Sequence, residues 1–189
     1  MDEIDRRIIS QLQSDGRITY EDLAKQVGLT GVGVKKRIRK LLDKGLVTIS
    51  ALLNIEKLNL SPALVLLEME GAEAMRETLN RFKECPRVVH MFSTLGGYNL
   101  VALIIAENQG TLESISMEKC SLRSGRGIRR SEFYPIGKMF YSPFLPLRED
   151  LVLRKKAMAP CGVDCISCES FGAKRCVACP VTHHYRGSL

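Results

Sequence analysis

Three short segments of helical hydrophobic periodicity, each followed by a glycine, fill the first 45 residues and restrict what this part of the chain can build. Behind Asp2, a suitable N-cap, Ile4, Ile8, Ile9 and Leu12 share one helical face until Asp15-Gly16. A second helix is expected from Thr19, with Asp22 as capping partner and Leu23, Ala24 and Val27 as its buried side, ending at Gly28. Thr30 caps a third, in which Val34, Ile38, Leu41 and Leu42 recur at helical spacing before Gly45 supplies a left-handed terminus.

Charge separates the third segment from the others. Six basic residues (Lys35, Lys36, Arg37, Arg39, Lys40 and Lys44) fall within ten positions, in a chain of net charge +7. Lys35, Lys36, Arg39 and Lys40 lie opposite the aliphatic stripe. A single charge run is most often a solvated helix surface. Here three short helices, a tight Gly28-Leu29 turn and a basic face on the last helix agree on a helix-turn-helix whose third helix enters the major groove of DNA. Leu46 to Leu53 is expected to be the wing strand. Gly31 and Gly33 are costly in a helix, about 1 kcal/mol each relative to alanine, and are expected to bring backbone close to phosphate.

From Pro62 the pattern changes. Strands are expected at Ala63 to Met69, Val88 to Thr94, Leu100 to Ala106 and Ile128 to about Tyr134, with helices at Ala72 to Phe82 and about Leu112 to Lys119. The order β-α-β-β-α-β gives a ferredoxin-like antiparallel sheet with both helices on one face, whose other face needs a cover such as the same sheet of a second subunit. Arg123, Arg126, Arg129 and Arg130 form a second basic group, read as a solvated edge. His90 stands alone in an apolar strand, which suggests a core role.

Five of the seven cysteines fall between positions 161 and 179, spaced Cys161-x3-Cys165-x2-Cys168-x7-Cys176-x2-Cys179. In a reducing compartment such crowding points to metal rather than disulfides. Cys165, Cys168, Cys176 and Cys179 satisfy a tetrahedral zinc site, whereas the additional Cys161 and the Cys179-Pro180 ending suit a [4Fe-4S] cluster; spacing leaves Zn²⁺ and the cluster both open. His183 and His184 are further candidate ligands. With so few apolar residues this segment needs metal or a partner surface to become ordered.

The chain therefore divides into a winged helix-turn-helix (1–60), a ferredoxin-like dimerisation and effector domain (61–140), a linker (141–160) and a cysteine-rich metal-binding tail (161–189), an α+β architecture. No stretch reaches the roughly 18 apolar residues of a membrane span, and Met1 leads into a charged helix, so a cytoplasmic protein is expected.

The runs Ile4-Asp5-Arg6-Arg7-Ile8-Ile9, Asp22-Leu23-Ala24-Lys25-Gln26-Val27-Gly28-Leu29-Thr30 and Val34-x-x-Arg37-Ile38-x-x-Leu41 resemble the Lrp/AsnC (feast/famine) regulators over residues 1 to about 140. The resemblance implies a third helix that reads double-stranded DNA through Thr30, Val32, Lys35, Lys36, Arg39 and Lys40. It also implies a homodimer or higher oligomer, and a small-molecule effector near the turn Gly96, Gly97, Tyr98 and Asn99. Asn99 stands where the family has a carboxylate, which weakens the case for an amino-acid effector. The cysteine segment suggests a metal- or redox-responsive regulator. Some tetrapyrrole-processing (siroheme-type) decarboxylases look like this family, so an enzyme that has lost DNA binding is the alternative. No nucleophile, base and orienting group assemble in the sequence, and a non-enzyme is expected.

Overall fold

The computed structural model describes all 189 residues, in two compact units, Met1–Ala51 and Leu52–Leu189.

The first unit is three helices, α1 (Glu3–Ser14), α2 (Tyr20–Val27) and α3 (Gly31–Asp43). Each begins on the residue whose side chain can satisfy a free amide of the first turn. Asp2 and Asp5 form a reciprocal capping box, Thr19 accepts from the Asp22 amide, and Thr30 accepts from the Gly33 amide at 3.2 Å. Ile8, Leu23, Ala24, Val27, Val34 and Ile38 meet as a single core. Burying each large aliphatic side chain contributes about 1.5–3 kcal/mol. Leu42, expected on this stripe, is largely exposed, because Leu41 takes the inward position. The expected wing strand over Leu46 to Leu53 is also absent. The chain after Gly45 stays irregular until β1 (Leu53–Asn54), which pairs with β6 (Phe144–Leu145) in the second unit rather than with a neighbour in the first.

In the second unit β2 (Ser61–Met69), α4 (Ala72–Phe82), β3 (Val88–Ser93), β4 (Leu100–Ala106), α5 (Gln109–Met117) and β5 (Ile128–Pro135) follow in order. The sheet runs β3-β4-β2-β5 with every pair antiparallel, which is the ferredoxin-like arrangement. Helix α5 starts three residues earlier than periodicity suggests, because the Asn108 side chain caps it through the Thr111 amide at 2.8 Å.

Alternate residues of β2 and β4, including Val65, Leu67, Leu100 and Ala102, face α4 and α5 and pack on Phe82, Leu112 and Ile115. The opposite face is partly covered by this chain itself: Ile105 and Val89 pack with Ile55, Leu60, Leu145, Tyr185 and Leu189. His90 is exposed rather than in the core, since a register shift between Val88 and His90 turns it outward.

Residues 146–189 carry little regular structure beyond the single turn α6 (Glu169–Gly172), yet they lie within the second unit. They are fastened to the helix-bearing layer at several points. Ser170 donates to Glu118 at 2.6 Å, the Val177 amide to Thr111 at 3.3 Å, and Lys156 pairs with Glu84 at 3.1 Å. A Cβ at Gly110 would collide with the Arg175 carbonyl, so the backbone of the cysteine segment passes directly over the start of α5 where no side chain is tolerated.

Candidate functional site

Helix α3 presents its two faces as the hydrophobic spacing requires. Val34 and Ile38 are buried, while Thr30, Val32, Lys35, Lys36, Arg39 and Lys40 are all exposed, with Val32 80% accessible. Arg37 departs from this group. Its guanidinium donates to Asp2 at 2.7 Å and to Asp5 at 2.8 Å, tying α3 to the capping box of α1. The backbone amides that bond to Asp2 and Asp5, followed by Arg37, hold both carboxyls below the ordinary aspartate range. Gly31 and Gly33 also meet a local steric limit: a Cβ would lie 3.2 Å from the Glu21 carboxylate and 3.3 Å from the Thr30 cap oxygen, respectively.

In the second unit the turn of Gly96, Gly97, Tyr98 and Asn99 joins β3 to β4. The Asn99 side-chain amide accepts from the Met69 N–H at 2.7 Å and donates to the Met69 carbonyl at 2.9 Å. Arg130 lies over the Tyr98 ring at 4.5 Å. The four arginines thus do not behave as one cluster; Arg123 turns inward to Ser131 and Ser116.

All seven cysteines border one cavity of about 50 Å³. The five of the C-terminal segment form one side, and Cys85 and Cys120, which appeared isolated in the sequence, form part of the other. Carbon lines most of the rest, from Phe82, Val88, Ile104, Ile115 and Leu122. Burial raises the thiol pKa values of Cys85, Cys120 and Cys165, and that of Cys179 to about 12, so these groups are protonated at neutral pH unless a metal displaces the proton. No three Cys, His, Asp or Glu side chains stand close enough around one point to hold a single ion. His183 and His184 lie against one another with ring centroids 3.8 Å apart and planes tilted by 53°, and are not among the cavity's lining residues.

Beside the cavity, Arg87 donates to Glu107 through Nε at 3.0 Å and Nη2 at 2.8 Å, and to the Ala178 carbonyl. Tyr185 donates to Glu107 at 2.7 Å and accepts from the Leu189 amide at 2.8 Å. One buried ion pair therefore fixes both arms of the C-terminal segment. The pairing raises the Arg87 pKa against its own burial, while burial, followed by the nearby Glu107 carboxylate, raises that of Tyr185.

Residues 1–42 match the AsnC-type helix-turn-helix domain. The HTH-type transcriptional regulator FL11 of Pyrococcus horikoshii is 30% identical over 115 residues, covering 60% of this chain and 76% of that protein. The uncharacterized HTH-type transcriptional regulator YezC of Bacillus subtilis is 36% identical over 115 residues, covering 60% of this chain and 81% of the relative. The chain belongs to the Lrp/AsnC family of transcription regulators. Its fold agrees with that of the Neisseria meningitidis regulator NMB0573, solved with L-Met, at a TM-score of 0.68 and 23% identity over 79% of this chain and 98% of the other. No helix of this Lrp/AsnC protein is long and apolar enough to cross a membrane.

Sequence reasoning missed that Cys85 and Cys120 line the same cavity as the C-terminal cysteines, because convergence across a fold leaves no local spacing. It missed the Arg87–Glu107 pair for the same reason. The one local signal available was Cys85-Pro86, which repeats the Cys179-Pro180 ending.

Proposed function

We propose that this Lrp/AsnC regulator reads double-stranded DNA as a homodimer through Thr30, Val32, Lys35, Lys36, Arg39 and Lys40, and that a metal held by its C-terminal cysteines sets its affinity for the operator. The DNA reading is carried by the exposed polar and basic side of α3 behind a fully buried Val34 and Ile38 stripe. Four cations on one helix face suit the phosphates flanking a groove, and the short Thr30 and Val32 side chains near its N-terminus suit base edges.

The metal reading is supported by the convergence of Cys161, Cys165, Cys168, Cys176 and Cys179 on one cavity, with Zn²⁺ or a [4Fe-4S] cluster as the occupant. Metal can change operator affinity only if it binds one arrangement of the dimer more tightly than another. A small-molecule input at Gly96, Gly97, Tyr98 and Asn99 belongs to the same reading. The Arg130 guanidinium beside Gly97 and Tyr98 suits an effector carboxylate, whereas Asn99 serves the hairpin.

Selection of operator sequences from random duplexes, followed by titration with and without metal, tests the whole. The expected result is a defined palindromic site whose affinity changes on metal removal. Binding that shows no sequence preference overturns the DNA reading, and an unchanged affinity after metal removal overturns the regulatory one.

A further inference from the structure

The C-terminal cysteines do not enclose their cavity alone. We propose that the chamber seats an iron–sulfur cluster of the cubane class, and that Cys85, from the ferredoxin-like layer, supplies one of its thiolates beside cysteines of the C-terminal segment. The inference rests on the reading that this segment binds metal.

Geometry separates the two candidate occupants. A tetrahedral zinc draws four sulfurs to about 2.3 Å from a single point and leaves no interior space. Here seven sulfurs ring a cavity of about 50 Å³, several times the roughly 10–15 Å³ that one water requires. A [4Fe-4S] core fills such a space with iron and sulfide and places its four cysteine sulfurs outside, well apart from one another.

Cys85 shares the chamber wall with the five C-terminal cysteines. Its Cys85-Pro86 pair repeats Cys179-Pro180, so a cysteine followed by proline meets the chamber from each of the two layers.

The chamber wall also carries an unpartnered donor. Ser114, 3% exposed, lines the chamber, and its hydroxyl has no hydrogen-bond partner. A buried hydroxyl left unpaired costs about 1–3 kcal/mol, and a cluster sulfur in the chamber would accept from it. Arg87 lines the same wall, held there by its buried pairing with Glu107.

The test uses the full chain under argon. It is reconstituted with equal amounts of ferrous and ferric iron plus sulfide, which matches the electron count of the resting cubane, and in parallel with zinc alone. Broad absorption near 400 nm with about four irons and four sulfides per chain is expected. C85S, checked for retained fold by circular dichroism, is expected to hold less than half the wild-type iron. S114A is expected to keep the cluster but lower its reduction potential. If C85S does not fold, wild-type chain labelled with ¹³C at cysteine Cβ answers instead, with the Cys85 signal expected outside the diamagnetic range. Full iron content and an unchanged spectrum in C85S, or an unshifted Cys85 signal, overturn the Cys85 assignment. A colourless protein with one zinc per chain overturns the cluster and leaves the metal reading standing. Uptake of neither metal overturns both.

Discussion

Arg87 and Glu107 face each other from the entry to β3 and the exit of β4, joined by two nitrogens within 3.0 Å while the side chains are only 7% and 3% exposed. Because Glu107 also accepts from Tyr185 and Arg87 also donates to Ala178, the pair joins the sheet to the cysteine segment. Removing one partner leaves an uncompensated buried charge. Arg87→Leu is expected to destabilise the second unit by about 3–5 kcal/mol, measured by urea unfolding, and to lower metal uptake. The double variant Arg87→Leu with Glu107→Leu is expected to recover part of that loss; a double variant no more stable than the single one would contradict the buried-charge explanation.

At Gly110 the backbone of the C-terminal segment passes directly over the start of α5. Gly110→Ala places a methyl group against the Arg175 carbonyl, so the segment around Cys176 must lift. Limited proteolysis between residues 173 and 180 should accelerate at least tenfold, with far-ultraviolet circular dichroism nearly unchanged because so little of this segment is helical. An unaltered cleavage pattern would mean that the close approach at Gly110 is not limiting.

The three-residue anchor of α3 makes a pH prediction. Asp2 and Asp5 have depressed folded-state pKa values, so their contribution to stability is complete above the unfolded aspartate value of about 3.9 and is lost as pH falls below it through the lowered folded values. Arg37→Gln removes the side-chain partner of both carboxylates while leaving their backbone amides in place, and should partly flatten the acid limb of the stability profile below about pH 4. An identical acid limb in wild type and Arg37→Gln would count against the anchor.

On DNA, alanine at Lys35, Lys36, Arg39 or Lys40 should weaken binding on all sequences. Deleting a cation that neutralises one phosphate should reduce the slope of log affinity against log salt by about 0.9. Substitution of Val32 should instead alter preference among operators at constant slope. Fluorescence anisotropy across a salt series separates the two behaviours, and a Lys35 variant with an unaltered slope removes that residue from the interface.

Thr30→Ala deletes the side-chain oxygen that caps α3 and is expected to cost about 1 kcal/mol. Thr30→Ser keeps the acceptor and should stay near wild type in thermal unfolding. Equal losses in both would assign the effect to the Thr30 methyl group instead.

Local chemistry was readable in the sequence wherever one segment decided it. Asp2, Thr19 and Thr30 cap helices because each carries an oxygen one residue before a run of free amides, and Gly28 and Gly45 adopt the positive φ that ends a helix. The positions of β2 and β4 were readable as aliphatic runs, but not which of their residues meet α4 and α5, because Leu64 and Leu66 are as apolar as Val65 and Leu67. Features set by distant residues were not readable. Leu53 is a strand residue only because Phe144 and Leu145 lie beside it, and residues 141–189 are ordered by surfaces on α4, α5 and β4 that no local pattern announces. The candidate site divides in the same way: the α3 face lies within one helix, whereas the chamber needs Cys85 and Cys120 from one layer and five cysteines from another.

That two-layer construction also imposes an order in time. During synthesis Cys85 and Cys120 emerge well before Cys161, and the ferredoxin-like layer can fold while its thiols still lack their cover. If the chamber takes metal as proposed, its loading is a late event, and a chain interrupted before Cys161 would present two thiols without their cover. Maturation, rather than folding of the sheet, is then the stage at which supply of metal or a passing oxidant decides how much functional protein a cell obtains.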